Sequence, residues 1–109
     1  MASSVTEGLS ASTLAQFKVL QQRFVAGLPA RWREIEAAPT PQSLQTALHR
    51  LAGSAGSYGF ERMSQCAREA ESLAASAANG GLAQVLISLQ DQIGKAQSMV
   101  AADSPAGSA

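Results

Sequence analysis

The chain of 109 residues carries one histidine, His49, and one cysteine, Cys66. Those counts narrow the chemistry. A single cysteine closes no intrachain disulfide, and one thiol with one imidazole falls short of the ligands a structural zinc site takes. No metal site is therefore expected, and Cys66 reads as a small core residue. Ser54 and Ser57 stand close to His49, yet no other histidine exists to activate either by the usual pairing. They read as small packing or turn residues. What remains is the imidazole itself. An imidazole of ordinary pKa, about 6.5, is mostly neutral at pH 7, and its unprotonated nitrogen is a nucleophile.

A lone histidine on a polar helix face is ordinarily just solvated surface, so its neighbours carry the argument. At about 100° per residue, Leu44, Leu48, Leu51 and Ala55 form an apolar stripe about 60° wide, and His49 falls about 130° from its centre, toward solvent. Gln45 lies one turn before it and Gly53 one turn after, with Ala52 and Gly56 flanking the same face. A mid-helix glycine costs up to about 1 kcal/mol relative to alanine. Folding alone gives no reason for Gly53 and Gly56. Bare backbone beside an exposed ring does give one, because it leaves the imidazole open to a bulky partner. Gly59 fits a plain helix terminator.

The run His49-Arg50-Leu51-Ala52-Gly53-Ser54-Ala55-Gly56-Ser57-Tyr58-Gly59 closely resembles the signature of histidine-containing phosphotransfer (HPt) domains, H-x-L-K-G-S-A-G-x-x-G. The resemblance extends through Phe60, Met63, Cys66 and Glu71, and includes a Leu-Pro, Leu28-Pro29, in the long helix before the motif. It implies that His49 is the phospho-acceptor, reacting at its ε nitrogen with an aspartyl phosphate. It implies that Gly53 keeps the ring accessible and that Glu71 holds the other nitrogen. The sequence departs from the pattern at Ala52, where the family often has a lysine that would help balance phosphate charge. Arg50 is adjacent to His49 but about 100° away around the helix. Arg68, one turn before Glu71, is another candidate, and the partner is a third source of charge.

Phosphoryl transfer depends mostly on positioning and charge stabilisation. The resemblance implies that this chain supplies the nucleophile alone, while a receiver domain supplies the aspartate and a bound Mg2+. No cofactor of its own and no autokinase activity are expected. The implied partners are response-regulator receiver domains and a hybrid sensor kinase, docking on a mostly apolar patch near His49. Leu9 and Leu14 are candidates for that patch. A second reading is a docking module that binds a receiver or kinase without transfer, which the missing lysine favours. A third, a structural bundle dimerising through its last helix, leaves Gly53 and Gly56 unexplained.

The elements that must position His49 are read from apolar spacing. A first stretch, about 12–37, places Leu14, Phe17, Leu20, Phe24, Leu28, Trp32 and Ile35 on one face. Gly27 and Pro29 interrupt it, but the stripe stays in phase, which predicts one kinked helix. Thr40 then looks like an N-cap with Pro41 at the first helical position, opening a second helix to about residue 58. A third helix, about 60–78, carries Phe60, Met63, Cys66, Ala67, Ala70, Leu73, Ala74 and Ala77, and Asn79-Gly80-Gly81 stops it. A fourth, about 82–101, carries Leu82, Val85, Leu86, Leu89, Ile93, Ala96 and Val100. Short connections between amphipathic helices predict an all-α, antiparallel up-and-down four-helix bundle with a short flexible N-terminal segment. The whole chain, 1–109, is read as one HPt-like domain with an ordered core of about 10–102.

Composition excludes other classes. Lys and Arg number 8, as do Asp and Glu, so the formal net charge is zero and nucleic-acid binding is not expected. The nearest thing to a basic cluster is Arg31-Trp32-Arg33, followed at once by Glu34 and Glu36. No apolar run approaches the roughly 20 residues of a membrane helix. The N-terminus lacks a secretory pattern, and a lone unpaired cysteine suits a reducing compartment. A cytoplasmic monomer is the expectation.

Overall fold

In the computed structural model, residues 11–76 and 80–103 are described. They hold five helical segments and no strand: α1 (Ala11–Ala26), α2 (Leu28–Ala37), α3 (Pro41–Ser57), α4 (Glu61–Ala75) and α5 (Leu82–Asp103). Leu9, Ala77, Ala78, Asn79 and the last six residues lie outside the described residues. So do the expectations that fell on them.

The first stretch is two helices, not one kinked helix, and the break falls at Gly27 rather than Pro29. Pro29 has no N–H to return to the Val25 carbonyl, and its ring crowds the turn before it. The disturbance therefore appears upstream of the proline. The Gly27 N–H is shared between the carbonyls of Arg23 (3.2 Å) and Phe24 (3.1 Å). Helical bonding then resumes from Arg31 N to Gly27 O, with Pro29 in the first turn of α2, where a missing N–H costs nothing.

α3 starts as its sequence says it should. Thr40 is extended, its Oγ1 accepts from Ser43 N at 3.0 Å, and Pro41 follows. It ends in a Schellman arrangement: Phe60 N donates to Ala55 O at 2.8 Å, Gly59 N to Gly56 O at 3.2 Å, and Gly59 takes a φ of +84° that favours glycine. α4 ends at Ala75, short of the expected residue 78, because Ser76 turns extended.

The core is a single cluster in which α2, α3, α4 and α5 all take part. Leu28, Ile35, Leu48, Leu51, Met63 and Leu89 are among its buried side chains. α3 packs on α2 and α4, α4 on α5, and α1 against α5. Small residues dominate the α3–α4 face: Ala52, Ala55, Ala67 and Ala70 are buried. Ser64 is buried too, and its Oγ donates to the Ala52 carbonyl at 2.8 Å, so its polar group is satisfied across the interface. Phe60, Leu44 and Cys66 are half-buried against the core. Burial pushes the Cys66 thiol above its ordinary pKa, Glu69 acts in the same direction, and Arg62 opposes both.

α1 departs most from expectation. Of its predicted stripe, only Phe24 is buried, together with Val25 at its end. Leu14 and Phe17 are half-buried and Leu20 is exposed. No helix among the described residues is long and apolar enough to cross a membrane.

Candidate functional site

His49 stands on the outer face of α3, its side chain 77% exposed. The close approach of α4 decides what it touches. With alanines between the two helices and Ser64 bonded to the α3 backbone, Glu71 on α4 comes level with His49. Its Oε2 lies 3.2 Å and its Oε1 3.4 Å from His49 Nδ1. The Glu71 side chain is 31% exposed. An ionised carboxylate only accepts hydrogen bonds, so the shared proton belongs on Nδ1. The other ring nitrogen, Nε2, is then left with the lone pair.

Two shallow concavities flank the ring. On the α4 side, His49 shares a space of about 480 Å³ with Gln45, Gly53, Arg68 and Glu71. On the α2 side it shares about 540 Å³ with Arg31, Arg50, Gly53, Ser57 and Tyr58. Gly53 belongs to both. A Cβ built on Gly53 would meet nothing within 4 Å, so the space beside the ring is open on this side.

The structure thus brings Gln45, Gly53, Glu71 and Arg68 to one side of His49 and Arg50 to the other. Arg50 also borders a separate groove that contains Glu34. Gly56 does not join them. A Cβ there would lie 3.4 Å from Ser64 Oγ and 4.0 Å from Arg68 Nη2. Its lack of a side chain serves the approach of α4, not the opening around the ring. Ala52 is buried against α4, although it still lines the α4-side concavity beside His49. The apolar arc of α3 is wider than the stripe of Leu44, Leu48, Leu51 and Ala55 because α3 is covered from two sides. Leu14, a candidate for the docking patch, sits half-buried on α1.

Sequence reasoning missed Arg31. It lies on another helix, and the run Arg31-Trp32-Arg33 carries no spacing that ties it to His49. Its only signal in the chain was that weak basic cluster.

No curated protein and no solved structure matches the chain closely enough to count as a relative. A family model does match: that of the Hpt domain, over residues 19–102. That span holds α2 to α4 entire, with half of α1 and nearly all of α5, and both partners of the His49–Glu71 contact. The matched span and the His49 signature agree, and the chain belongs to the Hpt domain family, the phosphotransfer modules of two-component signalling.

Proposed function

We propose that His49 receives a phosphoryl group from the aspartyl phosphate of one receiver domain and returns it to the aspartate of another. The observation that carries this reading is the 3.2 Å contact of Nδ1 with Glu71, on a ring 77% exposed beside the bare backbone of Gly53. The lone pair on Nε2 attacks phosphorus. The P–O bond to the aspartate breaks, and its electron pair leaves on the carboxylate. The phosphorylated imidazole is then cationic, with its Nδ1 proton retained and facing Glu71. Transfer onward reverses these steps.

In this reading the receiver supplies the aspartate and a bound Mg2+, and this chain supplies a positioned nucleophile. The chain then acts as a carrier without kinase activity of its own, as a cytoplasmic monomer between a hybrid sensor kinase and a response regulator. The short connections support helices that run alternately up and down.

Incubation with a phosphorylated receiver domain tests it. The chain should acquire acid-labile, base-stable phosphate, and a His49→Gln variant should acquire none. Label that persists on His49→Gln overturns the assignment. Complex formation with no label on the wild type points instead to docking without transfer.

A further inference from the structure

Arg31 is a cation at the site that the reading above does not use. Its guanidinium lies 5.6 Å from the centroid of the Phe24 ring. That ring is buried, and it packs on Tyr58 (centroids 5.3 Å apart) and Phe60 (5.6 Å). The seat is therefore fixed by the core. A guanidinium stacked on an aromatic face keeps its N–H donors at the edge, free for a planar or tetrahedral anion. Among the described residues, no carboxylate forms an ion pair with it. Arg31 is half-buried, and the concavity it lines is the one it shares with His49 and Gly53.

Three alternatives are weaker. Arg68 lines the α4-side concavity, but it is exposed and among the described residues no aromatic ring seats it. Ala52, where a lysine would be expected from the family pattern, is buried and uncharged. Arg50 is exposed, and among the described residues no aromatic ring seats its guanidinium.

We propose that Arg31, held on Phe24, binds the phosphoryl oxygens of phosphorylated His49 from the α2 side and balances their charge. This rests on the phosphotransfer reading above. The ligand is a phosphoryl group on a ring nitrogen, a dianion that an arginine can grip with two parallel N–H bonds.

The test uses the full chain with a phosphorylated receiver domain as donor, and reads two quantities. The first is the fraction of label on this chain at equilibrium with the receiver. In Arg31→Gln it should fall about tenfold, the scale of one charge-assisted hydrogen bond to phosphate. Arg31→Lys should recover part of it, since it keeps the charge but loses the fork. Arg33→Gln, at an exposed arginine of the same helix that lines neither concavity, should change it less than about twofold. The second is the Arg31 Nε–H resonance of the wild type, which should shift on phosphorylation and needs no variant to fold. A wild type that takes label normally, with an unmoved Arg31 resonance and Arg31→Gln within about twofold of it, overturns the role of Arg31 alone. A wild type that takes no label overturns the phosphotransfer reading, and this inference with it.

Discussion

Glu71 can accept a proton's hydrogen bond but cannot offer one, and that asymmetry selects one tautomer of His49. A glutamine in its place has both an oxygen and an NH2 group. It tolerates the proton on either ring nitrogen, so part of the population would carry it on Nε2, where it blocks attack. It also removes the negative charge that faces the cationic phosphoimidazole. Both partners are substantially solvated, which screens the interaction. Glu71→Gln should therefore slow initial labelling about three- to tenfold, in line with ~1 kcal/mol for such a contact, rather than abolish it. Imidazole nitrogen spectra should show the proton on Nδ1 in the wild type and a mixed population in the variant. A wild-type ring protonated on Nε2 would contradict the geometry. His49 and Gly53 were legible in the sequence because they lie one turn apart on one helix, where spacing alone sets direction. Glu71 came only through the family signature, since nothing in a spacing of 22 residues dictates contact. Arg31 was not legible at all: its place depends on how α2 crosses α3, which no local pattern encodes.

At the scale of elements, the two glycines of α3 separate by what faces them. Each weakens the helix by its backbone freedom. Gly53 faces open space, so Gly53→Ala should gain stability, by up to about 1 kcal/mol, and raise the melting temperature by several degrees. Gly53→Leu should keep most of that gain, because leucine is also a good helix former, yet slow transfer from a receiver about tenfold by filling the space beside the ring. Thermal melts and initial labelling rates on the same samples check both halves. A leucine variant that transfers at the wild-type rate would deny Gly53 any part in access. At Gly56 the helical gain is offset, because a Cβ meets Ser64 Oγ at 3.4 Å and that hydroxyl is tied to the Ala52 carbonyl. The sequence assigned both glycines the same purpose because helical spacing shows that they share a side of α3, not which neighbour covers it. The same blindness placed Ala52 near the surface. Thr40, Pro41 and Gly59 were legible because caps and turns are set by a few adjacent residues.

At the scale of the molecule, stability is spread unevenly. α3 and α4 contribute Leu48, Leu51, Ala52, Ala55, Met63, Ala67 and Ala70 to the buried cluster, so opening either helix exposes the core itself. α1 contributes only Phe24 and Val25, both beside the break at Gly27. Upstream of them, Val19 and Leu20 are 44% and 43% exposed. Gln21 Nε2 donates to the Tyr58 carbonyl at 2.7 Å and Phe24 packs on the Tyr58 ring, which ties the C-terminal half of this helix to the end of α3. Apolar spacing predicted burial along the whole first stretch, because a period tells which face is apolar and not whether anything covers it. Segments with few buried apolar contacts open without global unfolding, and their amides exchange accordingly. Amides of residues 15–20 should therefore exchange about 100-fold faster than those of residues 48–55 and 63–70 in native buffer, and their rates should not follow global stability when denaturant is added in small steps. The His49 site sits wholly on the slow side of that divide, apart from Arg31 on α2, so opening of α1 should leave the His49–Glu71 contact intact. Equal protection of 15–20 and 48–55 would mean that α1 unfolds only with the core, and that its exposed valine and leucine are covered in solution.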